Sequence, residues 1–134
     1  MLAWNQTYAI GNRFIDAEHR ILFDIANELT SKGLDSVEKF KEVYLELLQY
    51  TNLHFQNEEM LLKEIGYSHL LGHSQSHREI TNDMRNLVLQ RHSLDELTMG
   101  LTGCLQHWIG NHILREDMAY RSSLAEWKHR RIGT

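Results

Sequence analysis

No proline occurs in this chain of 134 residues. Proline interrupts helices more strongly than any other residue, because it lacks a backbone donor and its ring clashes with the preceding turn. Apolar residues also recur at helical spacing in four successive blocks that short breaks separate. The sequence therefore predicts an all-α chain.

Local signals mark where the predicted helices begin and end. Glycine commonly ends a helix in the left-handed conformation, which is the role expected for Gly33 and Gly66. Ser93 and Glu96 open the fourth block as a capping box, in which each side chain satisfies a free backbone donor. The apolar stripe of the first block comprises Phe14, Ile21, Leu22, Ile25 and Leu29. The later helices are predicted from near Ser36 to Gly66, from His69 to Arg91, and from Ser93 toward Tyr120.

Four helices of roughly 15 to 28 residues with short connections predict an antiparallel up-down-up-down four-helix bundle. An N-terminal arm precedes it, and a short C-terminal helix follows. At roughly 150 residues per domain, residues 1–134 form a single domain, with a core over about 12–120. The basic stretch 121–134 has an apolar pair in Leu124 and Trp127. It either packs on the bundle or begins a helix that connects to an output domain or partner protein.

Several classes of protein are disfavoured. The net charge of −4 argues against nucleic-acid binding, which depends on clustered Lys and Arg. No apolar run approaches the roughly 18 residues of a membrane helix, and the N-terminus lacks the features of a signal peptide. The single cysteine, Cys104, excludes an intramolecular disulfide and suits a reducing cytoplasm.

Three glycines interrupt the fourth predicted helix. At about 100° per residue, Gly100, Gly103 and Gly110 fall within about 80° of one another around the helix axis. We therefore expect a neighbouring helix or the N-terminal arm to approach this face closely.

Nine histidines are more than a domain of this size needs for packing, and histidine is the commonest metal ligand. His54 and Glu58 are four residues apart on the second helix, and His73 and His77 are four apart on the third, so each pair shares one helical face. Both pairs lie within an apolar stripe, where ionisable groups are costly unless something compensates them. A metal ion would do so.

The other two helices add ligand types at a similar depth. His112 lies on the apolar ridge of the fourth helix, with Glu116 and Asp117 beyond it, and His19 lies on the first helix beside Leu22. A lone inward histidine is more often a hydrogen-bonded core residue, but the coincidence across four helices favours a metal site. The remaining histidines are expected to be solvated or capping residues: His69, His92, His107 and His129.

Ligand type and number narrow the choice of metal. Seven nitrogen and oxygen donors are too many for one zinc ion, which usually takes four ligands. Calcium and magnesium prefer oxygen donors. A pair of first-row ions bridged by carboxylates in a bundle core fits the donor set, with iron or manganese as the leading choice.

Four runs of residues resemble the hemerythrin family, and most of all its bacterial branch. These runs are 15–19, 54–59, 73–77 and 108–117, and they occur in the family's order and spacing. The resemblance extends from Trp4 to about Tyr120, with a departure at Ser68, where many relatives carry proline. It implies a non-haem di-iron centre that binds O2 reversibly.

The resemblance also implies a role for each ligand. Three histidines would bind one iron and two the other, while two carboxylates and an oxo or hydroxo group would bridge both ions. One position then stays open for O2 on the iron with two histidines. The three histidines are His73, His77 and His112, the two are His19 and His54, and the bridging carboxylates are Glu58 and Asp117.

Four apolar side chains would form a dry wall around the O2 pocket, although ordinary bundle core explains them equally well: Phe55, Trp108, Ile109 and Ile113. Five neutral imidazoles and only two carboxylates favour binding O2 over activating it. The first functional hypothesis is an O2 carrier, storage or scavenging protein that is not an enzyme. The alternative is the N-terminal O2-sensing or redox-sensing domain of a larger signalling protein. An enzyme or iron-storage protein is disfavoured by the low carboxylate count.

Helix geometry and the resemblance select different residues as the second bridging carboxylate. On a regular helix Glu116 lies about 40° from His112 around the axis, whereas Asp117 lies about 140° away. The family's spacing nevertheless selects Asp117. That choice predicts a widened turn between residues 112 and 117.

Overall fold

The computed structural model describes residues 4–32, 34–90 and 93–132, and every regular element within these ranges is helical. Each of the first four helices packs on the next, and the fourth returns to the first, so the predicted all-α four-helix bundle is confirmed. The elements are a 3₁₀ turn Gln6–Tyr8, α1 Arg13–Lys32, α2 Val37–Glu64, α3 Leu70–Gln90, α4 Leu94–His107, a π-helical segment Trp108–Asp117, and α5 Arg121–Ile132.

The helix ends follow the predicted local signals. The Ser36 side chain caps α2 by accepting a hydrogen bond from the backbone of the first turn. Gly66 follows the C-terminus of α2 with a φ of 69°, the left-handed conformation expected there. The capping box of Ser93 and Glu96 is present at the start of α4. The predicted ends at Gly33 and Arg91 lie outside the described residues.

The core consists of two apolar clusters separated by a layer of buried polar side chains. The larger cluster takes its residues from the stretch of α1 after His19, from α2 up to Phe55, from α3 after His77, and from α4 with the first part of the π-helical segment. The smaller cluster lies beyond the polar layer and comprises Ile10, Ile15, Leu62, Ile65, Tyr120 and Leu124. The polar layer is therefore closed off by hydrocarbon at both ends.

Two details of the predicted packing are wrong. Phe14 and Ile21 are 69% and 45% exposed, because the buried face of α1 carries His19 and Leu22 instead. A Cβ atom at Gly103 or Gly110 would meet no atom within 4 Å, so no close approach occurs at these glycines. Gly103 lies about 200° around the helix from the buried leucines on either side of it. Gly110 lies in the π-helical segment, where extrapolation at 100° per residue fails.

The basic C-terminal stretch is a helix that packs on the bundle. Leu124 is buried in the smaller cluster. The Arg121 guanidinium donates to the Thr7 carbonyl oxygen at 3.1 Å, and the Lys128 ammonium donates to the Gly11 carbonyl oxygen. The described part of this stretch, 121–132, therefore packs on the bundle, and a connection to an output domain or partner protein stays a prediction. Among the helices in the described part of the chain, none is both long enough and apolar enough to cross a membrane.

Candidate metal centre

The buried polar layer brings together all seven predicted ligands. Their side chains come from α1, α2, α3 and the π-helical segment, and each is at most 4% exposed. Within each of two overlapping groups, the ligand atoms lie within 4.8 Å of one another. One group is Glu58, His73, His77, His112 and Asp117, and the other is His19, His54, Glu58 and Asp117.

Glu58 divides its two carboxylate oxygens between the two groups. Oε1 lies 2.6 Å from His73 Nε2 and 2.9 Å from His77 Nε2. Oε2 lies on the other side, 3.5 Å from His19 Nε2 and 4.0 Å from His54 Nε2. A carboxylate oriented in this way can bridge two cations.

Asp117 divides its oxygens in the same way. Oδ1 lies 2.8 Å from His73 Nε2 and 3.1 Å from His112 Nε2, whereas Oδ2 lies 3.0 Å from His19 Nε2. The two shared carboxylates therefore separate a group of three histidines from a group of two.

The π-helical segment explains how Asp117 reaches the cluster. The turn between residues 112 and 117 is widened as predicted, because Trp108–Asp117 is π-helical. A π-helix hydrogen-bonds from i to i+5, so Asp117 comes to lie about one turn from His112. Glu116 points outward instead, with its side chain 43% exposed and its Oε2 3.3 Å from His112 Nδ1.

Mutual attraction perturbs the pKa values of the cluster. Burial alone would lower the pKa of His19 and of His73, but hydrogen bonds and the charges of Asp117 and Glu58 raise both to about 9. Burial likewise opposes the shift at His112, whose pKa the Asp117 charge holds well above its usual range. Burial alone would raise the pKa values of Glu58 and Asp117, but the surrounding histidines hold both below their usual range.

Several ligand atoms are buried without a hydrogen-bond partner, although they lie close to opposite charges. They are both ring nitrogens of His19, Nε2 of His54 and of His112, and both oxygens of Asp117. An unsatisfied buried polar group is costly. Bound cations would satisfy all of these atoms except His19 Nδ1, because Nε2 is the nitrogen of that ring that faces Glu58 and Asp117. Imidazole and carboxylate donors suit first-row metal ions, so the residues present fit a metal centre.

The four predicted wall residues belong to the larger apolar cluster, and each is at most 4% exposed. The Phe55 ring stacks on the His77 ring, with 3.8 Å between centroids. It also meets Trp108 edge-on at 5.3 Å. Ile109 and Ile113 are completely buried.

A set of polar residues that the sequence did not single out contacts the cluster from outside. Glu18 and Glu59 each lie within 2.8 Å of an outward ring nitrogen of a cluster histidine. The only available signal was their position, because each is adjacent in sequence to a cluster residue. The Tyr120 hydroxyl donates to Glu58 Oε2 at 3.1 Å. Burial and the nearby carboxylates raise the pKa of Tyr120 well above its usual range, so this hydroxyl stays protonated.

Three of the histidines that were not predicted as ligands, and the cysteine, are not members of the cluster. His69, His107 and His129 are exposed, as predicted, and His92 lies outside the described residues. Cys104 is half-buried, and burial together with the charge of Asp83 raises its pKa to about 11, so its thiol remains protonated.

Comparison with known proteins independently supports a metal centre in this chain. The family model described as the hemerythrin HHE cation binding domain matches residues 10–122, a range that contains all seven cluster residues. The chain is 31% identical over 127 residues to a protein named bacteriohemerythrin from Clostridium acetobutylicum, covering 90% of this chain and 98% of the relative. A bacteriohemerythrin from Stenotrophomonas maltophilia is 31% identical over 124 residues, covering 90% of this chain and 79% of the relative. A hemerythrin-like protein from Naegleria gruberi is 26% identical over 121 residues, covering 90% of this chain and 92% of the relative.

Proposed function

The chain belongs to the hemerythrin family, and from this premise we propose that it binds O2 reversibly at two iron ions in the buried cluster. The observation that carries the proposal is the way Glu58 and Asp117 share their oxygens between three histidines and two. In this assignment His73, His77 and His112 would hold one iron, His19 and His54 would hold the other, and Glu58 and Asp117 would be shared between the two. The cluster draws on α1, α2, α3 and the π-helical segment, which supports a single domain over 1–134 with its core at about 12–120.

A pair of iron ions supplies electrons that can be shared with O2 and recovered when O2 leaves. The protein sets the conditions for this exchange. Five neutral imidazoles and two carboxylates place little negative charge around the ions, which favours the reduced state. Carboxylate-rich di-iron bundles have a more anionic donor set. This donor set therefore supports O2 binding for transport, storage or scavenging rather than catalysis.

The apolar wall excludes water from the centre. Phe55, Trp108, Ile109 and Ile113 are buried beside the cluster, and we propose that they line the O2 pocket. A dry pocket would limit the access of water and protons, which promote the irreversible oxidation of such a centre. Tyr120 keeps its proton and holds Glu58 in place through its hydrogen bond.

We also propose that the protein acts in the cytoplasm, where the free thiol of Cys104 stays reduced. An O2-sensing or redox-sensing role with an output domain stays a prediction. The packing of Leu124 on the bundle is the contact that an output helix would have to change.

Metal analysis and absorption spectroscopy test the proposal. The protein is loaded with Fe(II) without oxygen, and its spectrum is recorded before air exposure, after it, and after O2 is removed again. We expect two irons per chain and a visible band that appears with O2 and disappears when O2 is withdrawn. A single zinc ion and no band would overturn the proposal.

A further inference from the structure

A second set of carboxylates contacts the cluster histidines from outside. Glu18 Oε1 lies 2.8 Å from His54 Nδ1. Glu59 Oε2 lies 2.7 Å from His77 Nδ1. These contacts use the ring nitrogens that face away from the centre, because Nε2 of both histidines faces Glu58.

Each of these outer carboxylates is itself held at its other oxygen. The Asn57 amide donates to Glu18 Oε2 at 2.9 Å, and the Ser74 hydroxyl donates to Glu59 Oε1 at 2.6 Å. Their side chains are only 17% and 35% exposed. A carboxylate bound at both oxygens has little freedom to release the histidine that it contacts.

The contacts cross from one helix to the next. Glu18 precedes His19 on α1 and contacts His54 on α2, while Glu59 follows Glu58 on α2 and contacts His77 on α3. Each helix thus presents a cluster residue to the centre and, one position away, a support for a histidine of its neighbour. On the last helix, the outer partners of His112 Nδ1 are the Ser76 hydroxyl, one position before His77 on α3, at 3.0 Å, and the Glu116 carboxylate of the same segment at 3.3 Å.

A carboxylate only accepts hydrogen bonds, so a ring nitrogen that faces it carries the proton. The opposite nitrogen, Nε2, is then free to offer its lone pair to a metal. Such outer partners also fix the ring orientation and increase the basicity of the ligand. We propose that Glu18 and Glu59 are positioning residues of the metal centre, which fix the tautomer and orientation of His54 and His77. This inference rests on the proposed function.

The test measures metal affinity without O2 activity. Metal-free wild type, Glu18→Gln and Glu59→Gln are titrated anaerobically with Fe(II) against a chromophoric chelator. Glu46→Gln is the matched control, because Glu46 is an exposed carboxylate of α2 at a distance from the cluster. We expect the two outer variants to bind Fe(II) about 10-fold to 100-fold more weakly, and the control to match wild type.

A second measurement separates positioning from a general loss of structure. Each variant is loaded with Co(II), whose visible bands report the ligand field at the metal. We expect the bands of Glu18→Gln and Glu59→Gln to shift while those of Glu46→Gln do not, and Glu59→Asp to recover part of the lost affinity. If Glu59→Gln fails to fold, Ser74→Ala decides instead, because it removes the donor that holds the same carboxylate.

The outcomes are distinct. Wild-type affinity and unshifted bands in both outer variants, or in Ser74→Ala where it replaces Glu59→Gln, would overturn the positioning role and leave the metal centre intact. Failure of the wild-type protein itself to bind iron would instead overturn the proposed function.

Discussion

In the last helix of the bundle, the residues that face inward recur at different intervals in the two halves. In the first half, α4, the buried residues are Leu97, Leu101 and Leu105, at regular intervals of four. In the π-helical half, the two polar residues that face the centre, His112 and Asp117, are five apart. The first half thus follows the ordinary helical period, and the second departs from it where the centre lies.

The comparison shows which requirement dominates in each half. Leucines in a core need only share a face, and the regular period of α4 provides one. Asp117 must place its two oxygens on opposite sides, toward His73 and toward His19. Its side chain is short, so the backbone must bring it close, and the widened turn does this. π-helical turns are rare and occur frequently at functional sites.

The largest effect is expected from a substitution at the last residue of the π-helical half. Asp117→Asn removes the charge that faces both groups, so we expect loss of the two-iron content measured by metal analysis. Glu116→Gln is the control and is expected to leave the iron content nearly unchanged, because Glu116 points outward. The reverse pattern would show that the regular helical period selects the bridging residue.

The charges of the cluster should make the stability of the metal-free protein depend on pH. The folded pKa values of His19 and His73, about 9, lie above the usual 6.5. Their contribution to stability is therefore complete below pH 6.5 and is lost as the pH rises through 9. The lowered pKa values of Glu58 and Asp117 give the opposite loss in acid.

Thermal unfolding across pH 5 to 10 measures this dependence. We expect the melting temperature of the metal-free protein to fall above pH 6.5, and to fall less steeply in Asp117→Asn, which lacks one of the interacting charges. Bound iron should remove this fall in melting temperature, because the metal keeps the imidazoles deprotonated and its binding strengthens as pH rises. A flat profile in the metal-free wild type would contradict the charge pairing.

A smaller effect is expected on autoxidation, which should differ between truncations of a buried apolar residue in the two halves. Ile109→Ala opens a gap in the proposed pocket wall, so we expect faster autoxidation of the oxygenated protein, followed by the decay of its visible band. Ile109→Phe should slow O2 entry. Leu101→Ala is the matched control in α4, since both residues are completely buried and both truncations cost roughly 2 to 5 kcal/mol of stability. Equal autoxidation rates in the two alanine variants, with O2 entry unchanged in Ile109→Phe, would show that Ile109 is only core.

The smallest effect concerns the regular half alone. Gly103→Ala should increase the free energy of unfolding by about 1 kcal/mol, because alanine favours the helix and a Cβ there meets no neighbour. Denaturant unfolding measures the change, and iron content should be unaffected. A destabilised variant would mean that another part of the molecule approaches this face.

Much of the fold follows from local rules in the sequence. The absence of proline, the apolar period, the capping box at Ser93 and the glycine stop at Gly66 predict the helices and most of their ends, since these features act within one or two turns. The same period identifies His54, Glu58, His73 and His77 as inward polar residues. It fails for Phe14 and Ile21, because apolar spacing alone does not say which of two adjacent faces will meet a neighbour.

The sequence by itself determined which side chains could reach the centre, because the helical period and the family's motif spacing can both be read from the order of the residues. Only the tertiary structure decided how Glu58 and Asp117 divide their oxygens, and which carboxylates support the histidines from outside. Glu18 and Glu59 lie about 100° around their helices from His19 and Glu58, where the period places them at the margin of the buried face. The neighbouring helix brings the outward nitrogens of His54 and His77 within 2.8 Å of them, and that proximity between helices has no signature in the spacing of either one.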